Sequence, residues 1–368
     1  MRAASSWAAS TLVALVVAAP LRAEEVQPQP VSPAAPPVTA PATTTAPAAP
    51  AAAPAPVVVP ATFDLTRPEI VAFVNARVAE GAKRERVLSL LAAARPQSRI
   101  IEAMMRPAEK ALPWYEYRAR FMTDDRIEAG VRIWREHRES LERIAREHHV
   151  SPQYILAITG VETSFGRITG RYRVLDALAT LAFLYPPRAP FFQSELAEFF
   201  RLADEEHLDP TTVLGSYAGA MGIAQFMPSS YRRLAVDGDG NKSRDLWSDW
   251  DDVFASIANY LAENGWQYGD TVLADASFSG ANVPDVVDKV ALSETLGTLQ
   301  ARGFTVDSAA WTDTPALVVS APKPTEAAWR AGFRNFYVIT RYNRSPLYAM
   351  AVNDLADALA ARMWPGTP

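Results

Sequence analysis

Cysteine is absent from all 368 residues, which removes any disulfide framework, any thiolate metal site and any lipid-modified cysteine at an export cleavage site. Histidine is scarce. The four present, His137, His148, His149 and His207, stand on charged helical stretches or at a helix end without a His-x-x-x-His pair, so the expectation is surface placement and no zinc site. Positive charge is in short supply as well: 36 Lys and Arg against 41 Asp and Glu give a formal net charge of −5 with no dense basic run, which leaves no electrostatic footprint for nucleic acid. Long apolar runs are also missing, the stretch from Trp7 to Pro20 falling short of the roughly 20 residues that cross a bilayer.

What is present begins with a leader-like segment. Arg2 supplies a basic start, Trp7 to Pro20 an apolar stretch of export-signal length, and Leu21-Arg22-Ala23 ends on a small residue before Glu24-Glu25. The pattern predicts a signal peptide over 1–23, cleavage, and a soluble periplasmic protein whose net charge drops from −5 to −7 with the loss of Arg2 and Arg22. A short membrane anchor is the alternative. Residues 24–62 are dominated by Pro, Ala, Val and Thr, a composition that breaks helices, buries no core and predicts an extended tether or passive spacer.

From Phe63 onward the periodicity is mainly helical. The clearest stretch runs from Arg126 to Glu147, where Ile127, Val131, Trp134, Leu141 and Ile144 share one face and mixed charges fill the other. Further helices are expected at about 68–79, 84–93, 97–105, 151–162, 174–184, 192–206, 210–217, 251–263 and 350–363, Pro210 opening one of them. Between Gly269 and Tyr342 the texture turns to short β-rich runs, Thr271-Val272-Leu273, Ala316 to Val319 and Asn335 to Thr340, which predicts a small α+β insertion at about 269–338 in a helical body whose core is about 150–268. No internal repeat is visible.

The residue with the most chemical content is Glu162. It closes the apolar run Tyr154 to Ile158 and precedes Thr163-Ser164-Phe165-Gly166, which places an ionisable group where a helix ends at a cleft. A carboxyl in low dielectric stays protonated towards neutral pH, as a general acid must; the plain alternative is a solvated glutamate near a helix end. Three clusters accompany it. Gly215 to Pro228 contains three glycines with Ser216, Tyr217, Gln225 and Phe226, and is not a phosphate loop. Pro113 to Arg118 and Ile339 to Ala349 repeat the combination of ring and hydrogen-bonding group that a carbohydrate groove uses against sugar faces and hydroxyls. Taken singly, the glycine-rich segment fits a packed helix pair as well as a groove, and the two aromatic clusters are more often core packing than ligand binding.

Gly160-Val161-Glu162-Thr163, the Ser216 to Pro228 segment, Arg118 among its aromatics and Thr340-Arg341-Tyr342-Asn343 appear in the order of the membrane-bound lytic murein transglycosylase B family, which the chain resembles from about Phe63 to Met363. That resemblance implies a mainly α fold, with a lysozyme-like helical catalytic domain of goose type, further N-terminal helices and a small α+β insertion. It implies cleavage of the MurNAc–GlcNAc β-1,4 bond of peptidoglycan without water, leaving a 1,6-anhydro-N-acetylmuramoyl end. Glu162 would protonate the leaving oxygen and then act as base on the C6 hydroxyl, while the substrate's N-acetyl group replaces the second carboxylate of ordinary glycosidases. Carried over by motif, Tyr117, Ser216, Tyr217, Gln225, Phe226, Tyr260, Tyr342 and Asn343 would line the cleft. Asp176 and Glu195 are the residual candidates for a second acid. The competing expectations are a goose-lysozyme-like hydrolase using the same cleft and a non-catalytic wall-binding scaffold. The expected partner is the glycan strand; periplasmic cell-wall synthesis proteins are a further, unidentified class.

No cofactor is required by this chemistry, yet a structural calcium ion is a candidate. Asp237, Asp239, Asn241, Ser243 and Asp245 occupy positions 1, 3, 5, 7 and 9 of an EF-hand-like loop, a site the family carries at this place. The loop departs from the pattern at Lys242, where glycine eases the turn, and at Ser248, where a bidentate Glu closes the coordination. A turn rich in Asx hydrogen bonds is the alternative.

Overall fold

A computed structural model describes residues 57–105, 112–280 and 290–365. The expected signal peptide, and the expected tether up to residue 56, lie outside the described residues. An N-terminal group of helices, α1 (Pro68–Ala79), α2 (Arg84–Ala93), α3 (Ser98–Met105) and α4 (Trp114–Ala119), leads into α5 (Asp124–Glu136), α6 (Arg138–Glu147) and α7 (Pro152–Thr163). The periodic stretch read as one helix is thus two: the chain bends at His137, with φ −122° and ψ 25°. The His137 ring is half-buried against Trp250, 5.5 Å between centroids, so it is not the surface histidine the charge pattern suggested.

The strand β1 (Tyr172–Arg173) precedes the hairpin of α8 (Val174–Leu184) and α9 (Ala189–Glu205), and β2 (Leu214–Gly215) pairs antiparallel with β1. The helix expected at 210–217 does not form. Asp209 Oδ1 accepts both the Thr211 N–H at 2.9 Å and its hydroxyl at 2.7 Å, an Asx turn that diverts the chain into the ladder. Next come α10 (Pro228–Leu234) and α11 (Trp250–Glu263).

The insertion follows as β3 (Leu273–Phe278), β4 (Glu294–Thr295), α12 (Leu296–Ala301), β5 (Phe304–Val306), β6 (Pro315–Ser320) and β7 (Trp329–Gly332), in an antiparallel sheet of order β4-β6-β7-β3-β5. It has its own small core, in which Phe278, Phe304 and Trp329 pack together over Leu296 and Leu299. The β-rich run expected at Asn335 to Thr340 is helical: α13 (Arg334–Tyr342) buries Phe336, Val338, Ile339 and Tyr342 in the main core, so tertiary packing overrides β propensity. The closing helix α14 (Pro346–Met363) lies along α7 and buries eleven of its residues, which puts its first turn beside the end of α7.

Candidate active site

The helix α7 starts with Pro152 at its first turn and ends abruptly, because Ser164, Phe165 and Gly166 all adopt left-handed backbone with φ 52°, 58° and 78°. Such conformations cost a non-glycine residue about 1–2 kcal/mol each, and here the Phe165 ring offsets the cost by packing back on α7. It lies so close to Gly160 that a Cβ there would meet Phe165 Cζ at 2.6 Å and Leu355 Cδ2 at 2.8 Å, which explains the glycine two residues before the acid.

Thr163, 1 % exposed, ties this helix end to the facing loop. Its hydroxyl donates towards the Ile223 carbonyl at 3.1 Å and the Thr159 carbonyl at 3.2 Å, and accepts the Gly166 N–H at 3.0 Å. The loop itself is held from behind, where the Ile223 N–H donates to the Leu246 carbonyl at 2.7 Å. Gly222 with φ +69° makes that approach possible, since a Cβ would stand 2.5 Å from the Leu246 carbonyl oxygen.

Glu162 is half-buried at the helix end. Burial pushes its carboxyl up to about 7, opposed by one hydrogen bond, which the Tyr348 hydroxyl donates to Oε1 at 2.7 Å. Tyr348 is 3 % exposed, sits in the first turn of α14 and has its own phenol raised by burial and then by the Glu162 charge. Ser345 caps that turn, its Oγ accepting the Tyr348 N–H at 3.4 Å. Tyr348 belongs to a cluster noticed in the sequence but was not among the expected site residues. Its only sequence signal is a tyrosine following a Ser-Pro helix start.

The expected second acids are committed elsewhere. Asp176 accepts from Arg173 through both oxygens at 2.9 and 2.7 Å and from the Arg95 N–H at 2.8 Å. Glu195 accepts the Ser229 N–H at 3.0 Å and hydroxyl at 2.7 Å at the start of α10.

The expected lining residues divide in two. Tyr117, Ser216, Tyr217, Gln225 and Asn343 are half-buried. The Ser216 oxygen accepts the N–H groups of Ala218 at 3.3 Å and Ala220 at 3.0 Å, which leaves its proton to donate outward. Gln225, with φ 51°, donates its amide nitrogen to the carbonyls of Gly222 at 2.8 Å and Thr169 at 3.1 Å and keeps its side-chain carbonyl as an acceptor. Asn343 Oδ1 accepts the Ser345 N–H at 3.1 Å, at the link between α13 and α14.

Phe226, Tyr260 and Tyr342 do not line a groove. They are at most 1 % exposed and stack on one another, with 4.6 Å between the Tyr260 and Tyr342 centroids. The two tyrosine hydroxyls donate to backbone, Tyr260 to the Arg341 carbonyl at 2.6 Å and Tyr342 to the Ala224 carbonyl at 2.6 Å. Burial raises both phenols, with the Glu162 charge adding to the rise, so the three rings form an apolar wall behind the carboxyl and supply the low dielectric that shifts it.

In the loop after α10, the carboxylates of Asp237, Asp239 and Asp252 converge, with one oxygen from each lying within 4.8 Å of the others. Asp252, in the first turn of α11 and fully buried, brings a third carboxylate to the loop, its two oxygens also accepting the Gly238 and Asp245 N–H groups at 2.7 and 2.6 Å. Burial pushes it up to about 6, with the charges of Asp249 and Asp239 adding to the rise. Asp245, expected as a ligand, turns away to accept the N–H groups of Trp247 at 2.7 Å and Ser248 at 3.1 Å. Asn241 Oδ1 accepts the Ser243 N–H at 2.8 Å, and its amide donates to Asp239 at 3.0 Å. The expected Asx turns are therefore present, and the carboxylate triad fits a hard cation with oxygen ligands.

A helical body with a carboxyl raised by burial at a helix end, facing a loop of polar and aromatic groups, defines the lysozyme-like class of glycan-cleaving enzymes. The Transglycosylase SLT domain family matches residues 66–357, and the chain belongs to the lytic murein transglycosylases. It is 41 % identical over 248 residues to membrane-bound lytic murein transglycosylase B of Escherichia coli K12, a match covering 67 % of each chain. Among solved structures, Pseudomonas aeruginosa SltB1 is 42 % identical with a TM-score of 0.78, covering 81 % of this chain and 98 % of that one. Escherichia coli Slt35 in complex with calcium is 36 % identical, TM-score 0.75, covering 82 % and 96 %. SltB3 of Pseudomonas aeruginosa in complex with NAG-anhNAM-pentapeptide is 28 % identical, TM-score 0.67, covering 78 % of each. Among the described residues no helix is long and apolar enough to cross a membrane.

Proposed function

We propose that this enzyme cleaves the MurNAc–GlcNAc bond of peptidoglycan by transglycosylation, with Glu162 as both acid and base. The protonated carboxyl gives its proton to the leaving glycosidic oxygen. The resulting carboxylate then removes the proton of the muramoyl C6 hydroxyl as that oxygen attacks C1, which returns Glu162 to its acid form and closes the 1,6-anhydro ring. No water is consumed and no second carboxylate is needed, provided the N-acetyl group steadies the positive charge at C1.

One observation carries the reading: Glu162 stands at the end of α7 with its carboxyl raised by burial and held by one tyrosine hydroxyl, while both rival acids are engaged in structural contacts. Family membership supports the reaction, and the fragment complex of SltB3 supports a glycan strand as substrate. Ser216 and Gln225 would offer a donor and an acceptor to the sugar, and Tyr117 an aromatic face.

Digestion of purified sacculi, followed by mass spectrometry of the released muropeptides, tests this. Products lighter by one water than hydrolysed muropeptides and resistant to borohydride are expected; reducible ends would make the enzyme a muramidase. Glu162→Gln should lower the rate by about 10²–10⁴, because a carboxamide cannot donate the proton.

We also infer a structural calcium site on Asp237, Asp239 and Asp252, with Asn241 close by. The Slt35 calcium complex and the convergence of the three carboxylates support it. Export to the periplasm remains the reading of residues 1–23.

A further inference from the structure

The loop from Gly215 to Phe226 is built from two turns that close on themselves. Ser216 donates its N–H to the Ala220 carbonyl at 2.8 Å, and Met221 and Phe226 exchange N–H···O bonds at 2.9 and 3.1 Å. Met221 bridges both to Gly215 and to Phe226, so the turns meet there, with Ser216 on the first and Gln225 on the second. Each turn is held within itself. The separation of their side chains therefore depends on what grips the loop from outside.

One dipeptide grips both turns. The carbonyl of Leu246, a fully buried residue, takes the Ile223 N–H of the second turn at 2.7 Å. The next residue, Trp247, reaches the entry of the first turn, where its indole N–H donates to the Leu214 carbonyl at 3.3 Å, two residues before Ser216. The Trp247 ring lies over the buried Tyr231 ring, with 5.8 Å between centroids and 35° between planes, and its backbone N–H donates to Asp245 Oδ1 at 2.7 Å. Asp245 in turn gives its N–H to the buried Asp252 at 2.6 Å, which roots the dipeptide in the start of α11. Gly170, from the segment that leaves α7, is backed against the Gly215–Ser216 peptide, where a Cβ would stand 2.0 Å from the Gly215 carbonyl oxygen. Stacking on Tyr231 accounts for a large ring at position 247 but not for an indole, because a phenyl ring would stack there as well and a half-buried N–H can be served by water.

We propose that Trp247 is a positioning residue for sugar binding. Its hydrogen bond to the Leu214 carbonyl, together with the Leu246 carbonyl on Ile223, sets the separation between the Ser216 hydroxyl and the Gln225 side-chain carbonyl, the donor and the acceptor offered to the glycan. The assignment rests on the peptidoglycan reading above. A donor and an acceptor held at fixed spacing bind a sugar without the cost of ordering the loop. Glu162 is held separately, by Tyr348 and the end of α7, so loss of the indole bond falls on binding and not on proton transfer.

Trp247→Phe tests this, since it keeps a ring on Tyr231 and deletes the indole N–H. On glycan strands freed of their stem peptides its KM should rise by roughly three- to tenfold, the weight of one hydrogen bond, with kcat and the alkaline limb of the rate unchanged. In a Ser216→Ala background the same change should leave KM where Ser216→Ala alone puts it, because the group it positions is gone. An unchanged KM, full multiplication of the two losses, or a fall in kcat that tracks a fall in melting temperature overturns the proposal and leaves Trp247 as packing.

Binding separates this outcome from a failure of the assigned reaction. In a Glu162→Gln background, calorimetry with a peptide-free tetrasaccharide of alternating GlcNAc and MurNAc should show the same weakening for Trp247→Phe, and none once Ser216 is replaced by alanine. Equal affinity with and without the indole overturns the positioning role whatever the reaction is. A wild type that yields no anhydro products, while the indole still governs this affinity, counts against transglycosylation and supports the positioning role.

Discussion

At the scale of the residue, Glu162 couples catalysis to stability. Its folded-state pKa of about 7 lies above the ordinary glutamate value of 4.5, so the folded state holds a proton that the unfolded chain releases. The destabilisation is absent below pH 4.5, grows between there and pH 7, and is complete above it, reaching about 3 kcal/mol. Melting curves at pH 5 and pH 8 should show Glu162→Gln gaining on the wild type at the higher pH; parallel curves would refute the shifted carboxyl. The rate should fall on the alkaline side near pH 7 as the acid form disappears. Removing the Tyr348 hydroxyl removes the one contact that favours the anion, so Tyr348→Phe should move this alkaline limb upward while lowering the rate through lost orientation. A limb that moves down would contradict the hydrogen bond as drawn.

At the scale of the element, the site depends on how α7 ends. Thr163→Val preserves shape but leaves the Gly166 N–H and the Ile223 carbonyl without the hydroxyl, a loss of about 1–3 kcal/mol. It should lower kcat more than it alters KM, since the acid then shifts relative to the loop bearing Ser216 and Gln225, and Thr163→Ser should restore both. Gly160→Ala gains helix propensity yet must displace Phe165 and Leu355, so denaturant titration should show a net loss of about 1–3 kcal/mol. The glycines and the Glu162-Thr163 pair were readable as a helix end at a cleft. The left-handed run at Ser164 and Phe165 was not, because those residues have no local preference for it and are held there by Phe165 packing against Gly160 of α7 and Gly130 of α5.

At the scale of the whole molecule, the acidic loop joins α6, α10 and α11. Arg143 of α6 donates to the Gly238 carbonyl at 3.0 Å and to Asp251 at 2.8 Å, and Asp252 accepts the Gly238 N–H at 2.7 Å. A cation there stabilises the native state by mass action, so millimolar calcium should raise the melting temperature, and Asp252→Asn should abolish the rise. Asp245→Asn should leave it in place, since Asp245 faces Trp247 and Ser248. No shift for the wild type, with no metal found by elemental analysis, would leave the loop as a set of Asx turns.

The chain by itself determined the helical class, the β-rich insertion, the absence of thiol chemistry, and the position of one acid at the end of an apolar helix. These follow from composition and from periods of two and 3.6 residues, which are local properties. Only the tertiary structure decided which groups meet. It brought Tyr348 to Glu162 across 186 positions, closed the acidic loop with Asp252, buried Phe226, Tyr260 and Tyr342 as a wall behind the carboxyl, and turned Asn335 to Thr340 into helix. Each outcome depends on burial against distant segments, where the cost of an unpaired polar group or an unfilled gap outweighs local propensity.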